Sequence, residues 1–488
     1  MVQTLQNKAI SGVIWSFMQK FGTMGISFFS NIILARLLTP DDYGCIGMLA
    51  IFILISTTLV NGGFGSALIQ KKNPTSQDYS TIFFWNILIS IIFYILIFIA
   101  APLIADFYHI EKLTSVLRVE ATVIIINSFI IVQENQYRKQ LHFKKLSLVY
   151  LASAFVSVAV AIFLAYNSFG VWSLVYQQIV MSFTTAVLLW ISSKWRPQFT
   201  FSVDSFKDLF SFGFYILLSD VLNTICDNVQ GLLIGRFYTP ASMGYYTQAH
   251  KLDQIASTSI SSVINQVSYP MLSTFQNDLN QMVKILQKFI SILAFVTIPV
   301  MLYLIILAKP IILIVYSDKW LASVPYFQIL CIAGIANCLQ GINYYAVAAT
   351  GRSDILFRWS LVKRGFGLCF IVIGLATGGI IGLLWGMVCS SFFIYFINAF
   401  LVSRKVGYSI KQQVIDLFPI LLIGVISFLV VQLLQFVFNN EITASIMGFV
   451  CFPTIYICFS KLFHLDSYYK TKSIIYSLIL RKNDKCCS

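Results

Sequence analysis

Stretches of about 20 apolar residues recur from the first to the last tenth of this 488-residue chain, each long enough to cross roughly 30 Å of hydrocarbon. In lipid every backbone polar group must be satisfied within the chain, which leaves only helical bundles and closed barrels. Apolar runs of this length select helices. Only 11% of residues are charged and mean hydropathy is +0.82, whereas a soluble domain carries about 25% charged residues. No soluble domain fits between the runs, and the first is too long for a signal-peptide core and lacks a cleavage site after it.

The expected fold is therefore an all-α polytopic membrane protein of about fourteen transmembrane helices. Spans are predicted near residues 12–37, 43–69, 80–102, 117–135, 147–166, 170–192, 211–235, 243–269, 285–307, 324–349, 357–376, 380–402, 414–437 and 442–463. Their connections alternate in charge. One side collects Lys8, Lys71, Lys72, Arg138, Lys139, Lys144, Lys145, Lys194, Arg196, Lys207, Lys284, Lys288, Arg352, Arg358, Arg404, Lys405 and Lys411. It also receives the tail cations Lys461, Lys470, Lys472, Arg481, Lys482 and Lys485. The other side holds only Arg36, Lys112, Arg118, Arg236, Lys309 and Lys319. The positive-inside rule puts the richer side, and with an even span count both termini, in the cytoplasm. The formal charge of +14 thus has a topological cause, and nucleic-acid binding need not be invoked.

An internal repeat divides the chain. Span one ends in ILARLLTPDDYG (Ile33 to Gly44) and span seven in LIGRFYTPASMG (Leu233 to Gly244), at an offset of 200 residues. Arg36, Thr39, Pro40 and Gly44 match Arg236, Thr239, Pro240 and Gly244 in a turn that breaks one helix and starts the next. Six spans separate the copies, so the halves enter the membrane in the same direction. The expected organisation is a six-helix bundle over 1–200, a second over 201–410, a further helix pair over 411–465 and a basic cytoplasmic tail over 466–488.

Polar residues recur at helical spacing inside the spans. In span one Lys20, Thr23, Ser27 and Asn31 share a face; in span seven Asp220, Asn223, Thr224 and Asp227 do. The offset of 200 superposes Lys20 on Asp220 and Ser27 on Asp227, so the two stripes are expected to face each other. Lys251, Gln254, Thr258, Ser261 and Asn265 extend the pattern in span eight, and Lys363 and Arg364 add a basic pair in span eleven. A charge near mid-bilayer costs about 3 kcal/mol, so these groups should pair or line a wet cavity. One reading makes Lys20 and Asp220 a buried ion pair that pins the halves together. The other makes a cationic cavity in which Lys20, Lys251 and Arg364, with Ser27, Asn31 and Asn223, bind an anionic substrate while Asp220 or Asp227 takes up a coupling ion.

Arg36 and Arg236 fit helix C-termini that complement the macrodipole and snorkel outward. Tyr43, Tyr245, Tyr246, Trp172, Trp195 and Trp320 fall where aromatic belts are expected. The cysteines lie mostly in apolar segments, as Cys226, Cys331, Cys369, Cys389 and Cys451, and form no C-x-x-C pair; Cys486 and Cys487 end the basic tail. His109, His142, His250 and His464 are scattered, so no metal site and no cofactor is expected. There is no P-loop, G-x-S-x-G or H-E-x-x-H motif and every predicted loop is short, which argues against an enzyme.

The segments ISGVIWS (Ile10 to Ser16), LARLLTPDDYG, GFGSALIQKK (Gly63 to Lys72), GYYTQAHKL (Gly244 to Leu252) and SDKW (Ser317 to Trp320) resemble Wzx-type O-antigen and exopolysaccharide flippases, particularly the colanic-acid exporter-like branch. That family shares a superfamily with multidrug and toxin extruders and lipid II flippases. The resemblance implies an undecaprenyl-pyrophosphate-linked oligosaccharide as substrate, moved outward across the bacterial inner membrane by alternating access, for lipopolysaccharide or capsule synthesis. It also implies membrane lipids and the polymerase and chain-length proteins of the same pathway as partners. A drug antiporter of the same fold and a membrane glycan polymerase are the alternatives.

Overall fold

The structure, a computed structural model, describes residues 2–276, 278–350, 353–437 and 441–473. Arg352, Arg481, Lys482, Lys485, Cys486, Cys487 and the expected tail beyond residue 473 fall outside the described residues, as do the side chains of Lys8 and Asn265. Among the described residues there is no strand. The helices are α1 (Val2–Leu37), α2 (Pro40–Asn61), α3 (Phe64–Gln70), α4 (Ser76–Tyr108), α5 (Lys112–Glu120), α6 (Thr122–Lys139), α7 (Phe143–Tyr166) and α8 (Val171–Ser192). They continue with α9 (Val203–Phe237), α10 (Pro240–Thr274), α11 (Leu279–Ile306), α12 (Ala308–Val315), α13 (Val324–Ala349), α14 (Ser353–Lys405), α15 (Ile410–Val437) and α16 (Glu441–Leu462).

This is an all-α, multi-pass membrane protein. Each of the fourteen stretches expected to cross the membrane lies in one of these helices or helix pairs. Among the described residues ten helices are long and apolar enough to span, or eleven if the bent pair Met447–Leu462 and Asp466–Ser473 is one span. Three features lower that number below fourteen. The polar faces of α1 and of α10 dilute their hydropathy, so that neither is counted, and α14 is counted once although Gly378 and Gly379 take non-helical angles inside it. On either side of that break the backbones of Gly374 and Gly382 meet so closely that a Cβ on either would overlap the other's carbonyl. Spans eleven and twelve are thus a hairpin joined by two glycines.

The chain forms two compact units, Met1–Thr247 and Gln248–Ser488. In the first, α1 lies along α7, α7 along α8, and α9 along α2 and α3. Small residues allow these approaches: Gly22 of α1 sits beside Leu151, and Ser147 Oγ donates to the Trp15 carbonyl at 2.7 Å. Gly62 and Gly63, both at positive φ, break α2 from α3, and Gly63 lies against the backbone of Gly213 in α9. A side chain there would collide as well as strain the turn.

The repeated turns occupy equivalent places. The helices ahead of them end at Leu37 and Phe237, and the next begin at Pro40 and Pro240. Thr39 and Thr239 both cap: Thr39 Oγ1 accepts from Asp42 N at 3.3 Å, and Thr239 Oγ1 from Ser242 N at 3.3 Å. The two copies also touch. A Cβ at Gly44 would overlap the Pro240 carbonyl, and one at Gly244 the Pro40 carbonyl, so the contact is reciprocal.

In the second unit the core joins α11, α13, α14 and α15 through buried residues such as Leu286, Ile290, Ile342, Val402 and Tyr408. The aromatic-belt expectation fails at Tyr43, Tyr246 and Trp320, which are 2%, 5% and 0% exposed; Trp320 packs on Tyr316 with ring centroids 6.0 Å apart. Cysteine burial is divided: Cys331 is buried, but Cys369 and Cys389 are exposed on α14.

Candidate functional site

Within the first unit the polar face of α1 is left uncovered. Lys20 and Ser27 are exposed and Asn31 is half-buried. Thr23 Oγ1 turns back to the Gln19 carbonyl at 2.7 Å. On α9, Asp220 and Asp227 are exposed and Asn223 and Thr224 half-buried. Thr224 Oγ1 lies 3.2 Å from Thr58 Oγ1 of α2. The buried ion pair read as one possibility does not form. No salt bridge joins Lys20 to Asp220 among the described residues, and α1 spends its contacts on α7 while α9 spends its on α2 and α3. Both charges are left facing outward from their helices.

The sequence did not reveal which cations would gather at one end of this unit. Lys71 Nζ donates to Asp78 Oδ1 at 3.1 Å and to Asp208 Oδ2 at 3.0 Å. Lys139 Nζ donates to the carbonyls of Leu68 and Ile69 at 2.9 and 3.2 Å and to that of Lys71. Burial works against the Lys71 ammonium, yet its bonds to Asp208 and Asp78 outweigh that and hold its pKa above the ordinary value. The end of α3 and the residue after it are thereby tied to α4, α6 and α9. At the opposite ends of these helices Arg236 Nη1 donates to the Phe107 carbonyl and lies 2.8 Å from His109 Nε2. Arg236 lies in the last turn of α9, as expected, and also holds the end of α4.

A polar cavity of about 240 Å³ lies in the same unit, lined by Thr57, Asn61, Asn127, Glu134, Tyr150 and Ser182 among others. Glu134 is held by Arg138 at 2.6 Å, so its charge is already matched. Glu120, at the break between α5 and α6, is 1% exposed and accepts from Gln178 Nε2 at 3.0 Å.

In the second unit Lys251 is exposed and Arg364 half-buried, while the adjacent Lys363 is only 6% exposed. Lys363 Nζ donates to Asn398 Oδ1 at 2.9 Å and stands 5.8 Å from the centre of the Tyr344 ring. On α10, His250 lies 3.1 Å from Gln254. Asp253, which the sequence pattern passed over, is 5% exposed. An apolar groove of about 500 Å³ runs between α11 and α16, lined by Phe295, Pro299, Tyr303, Phe452, Pro453 and Tyr456, with Lys472 at its edge. Among the described residues no cluster of three metal-binding side chains occurs.

Comparison with known proteins places this architecture. Residues 33–325 match the family model described as polysaccharide biosynthesis protein. The chain is 27% identical over 387 residues to the teichuronic acid biosynthesis protein TuaB of Bacillus subtilis, covering 78% of this chain and 80% of that protein. It is 23% identical to the succinoglycan biosynthesis transport protein ExoT of Rhizobium meliloti, covering 79% and 78%. The fold resembles the lipid II flippase MurJ with a TM-score of 0.77 at 16% identity, covering 93% of this chain and 99% of that one. A helical bundle of this extent, matched over more than half its length by one family model, belongs to the polysaccharide biosynthesis protein family.

Proposed function

We propose that this chain is a flippase that carries an undecaprenyl-pyrophosphate-linked oligosaccharide repeat unit from the cytoplasmic to the outer leaflet of the bacterial inner membrane, by alternating access and without catalysis. The observation that carries the reading is the uncovered polar face of α1. Lys20 stands exposed on α1, and among the described residues no carboxylate is bonded to it; in a helix that crosses the membrane such a charge costs about 3 kcal/mol, which a passing anion would offset. Membership of the family supports it, as do the MurJ-like fold and a relative named as a polysaccharide transport protein.

Each unit offers positive charge for an anionic substrate, the first through Lys20 and the second through Lys251 and Arg364. Ser27, Asn31 and Asn223 offer hydrogen bonds to sugar hydroxyls. Asp220 or Asp227 takes up the coupling ion. The apolar groove beside α11 and α16 suits a polyprenyl chain, which needs an apolar path continuous with lipid. Both termini face the cytoplasm, since the cation-rich loops do. Partners are the lipid-linked glycan and the polymerase and chain-length proteins that use it on the far side.

Deletion of the gene tests the reading. A strain lacking the chain should accumulate complete lipid-linked repeat units on the cytoplasmic face. Export of single unpolymerised units would identify a polymerase instead, and broad drug resistance from the expressed chain an antiporter. Lys20→Ala and Asp220→Ala should each stop export while the protein still inserts. Recovery in the double variant would show a structural pair and remove Lys20 from the substrate site.

A further inference from the structure

The second unit holds a carboxylate in a place where no charge is provided for. Asp253 on α10 is 5% exposed and its Oδ1 is enclosed without a hydrogen-bond partner. Facing it from α13 is Gly334, whose missing side chain makes the room: a Cβ there would come within 2.7 Å of Oδ1 and within 3.3 Å of Met301 Sδ on α11. Thr297, one turn before Met301 on the same face of α11, is fully buried with an unpartnered Oγ1. Cys331 and Cys338 flank Gly334 along α13, both 0% exposed, and Cys338 Sγ sits 3.4 Å from the Ser257 carbonyl of α10.

The Met301 thioether shares the space beside Gly334 with this carboxyl, and the thiols of α13 and the Thr297 hydroxyl are buried in the same helices. Helix α13 carries no charged residue, and the cations of α11, Lys284 and Lys288, are nine or more residues from Thr297, roughly 13 Å along the helix. On its own helix His250 and Lys251 lie on the preceding turn, and no salt bridge joins either to Asp253 among the described residues. An ionised carboxylate without a partner is too costly to keep in such surroundings, and the group neutralises. A hard cation would neutralise it only inside a cage of about six oxygens. Among the described residues no hydrogen-bonding group reaches Oδ1, the nearby Met301 contributes sulfur, and sulfur is a poor ligand for such ions. A proton needs neither cage nor space.

We propose that Asp253 is a proton-binding site of this transporter, closed by Gly334 of α13 and by Thr297 and Met301 of α11, and separate from the exposed Asp220 and Asp227. Its part in transport rests on the flippase reading, in which it makes the proton the coupling ion: uptake from one side and release to the other accompany the change of access. The proton site itself does not depend on what is carried.

Two measurements on the full chain in lipid nanodiscs and proteoliposomes separate these claims. Infrared spectra at neutral pH should show a protonated carboxylic-acid band that shifts in deuterium oxide and disappears in Asp253→Asn. Asp253→Glu should move the band and not abolish it, which keeps the test open if the Asn variant folds poorly. A band unchanged in both variants, or one removed by sodium at constant pH, overturns the proposal. In proteoliposomes loaded with lipid-linked glycan, an imposed pH gradient should accelerate flipping at least tenfold, and Asp253→Asn should lose that acceleration. Gradient-driven flipping that survives in Asp253→Asn overturns the coupling role and leaves the flippase reading intact. Loss of the band in the variant together with no flipping by the native chain supports the proton site and overturns the flippase reading.

Discussion

Replacing Lys71 by Ala tests whether the cation-rich loops of the first unit are held by specific bonds or merely gather on one side. Lys71 bridges two unequal carboxylates: the side chain of Asp78 is 3% exposed and that of Asp208 66%, with Lys71 itself at 29%. The Asp208 bond is a surface ion pair, worth about 0 to 1 kcal/mol. Stranding a buried charge costs about 3 to 5 kcal/mol when nothing else satisfies it. Asp78 keeps one bond from Thr75 N at 2.8 Å, and water reaches the vacated side, so about 2 kcal/mol is expected for Lys71→Ala, roughly a 30-fold change in the folding equilibrium. Asp208→Ala should cost under about 1 kcal/mol. Thermal unfolding in detergent, followed by the reactivity of the buried Cys45 thiol, reads both. The pH dependence gives a second check. The pKa of folded Lys71 is raised above its ordinary 10.5, so its contribution is complete below that value and is lost as pH climbs through the folded pKa. The difference between native protein and Lys71→Ala should therefore close above pH 10.5. Equal losses in Lys71→Ala and Asp208→Ala, or a difference that persists at high pH, would refute the bridging argument.

Gly44→Ala and Gly244→Ala should each destabilise the first unit by about 1 to 3 kcal/mol, because the new methyl meets a proline carbonyl that cannot rotate away. The double variant should lose less than the two losses together, since the first methyl already parts the turns; additive losses in thermal unfolding would show the contacts to be independent. Gly334→Ala should lower thermal stability by a similar amount and stop export, as its methyl would press on Asp253 Oδ1 at 2.7 Å. Unchanged stability in that variant would mean the carboxyl has room to move. Lys363→Met should raise thermal stability, by about 1 to 4 kcal/mol if the apolar side chain packs well, because it removes a buried charge bonded to an amide. A less stable Lys363→Met protein would show that the bond to Asn398 outweighs the desolvation it relieves.

Much of the fold was legible because lipid allows few alternatives. Run length placed the spans, and proline placed helix starts: Pro40 and Pro240 open α2 and α10 at the offset read from the repeat. The break at Gly378 and Gly379 fell between two predicted spans for the same reason. The break after Glu120 carries neither proline nor glycine, so local chemistry gave no sign of it. Side-chain burial was less legible still. Lys363 and Arg364 are neighbours, yet about 100° apart around a helix, and only Asn398, 35 residues onward, decides which of them turns inward. Asp253 sits in a run with Lys251 and Gln254 that reads as one polar face. Its burial depends on a glycine 81 residues away, a long-range fact that spacing does not encode.

The two kinds of polar residue in these helices relieve the same penalty in opposite ways. A charge in hydrocarbon must find water, a ligand or a partner, or lose its charge. Lys20 and Asp220 are exposed and unbonded to each other, so whatever satisfies them comes from outside the helices and can be exchanged. Asp253 is buried beside Gly334 and Met301 with no hydrogen bond to its Oδ1, so what satisfies it is a proton. Groups of the first kind suit a cargo that must be picked up and let go. One of the second kind suits an ion whose departure leaves behind a charge that the closed site cannot tolerate, and that intolerance is a force available to reopen it.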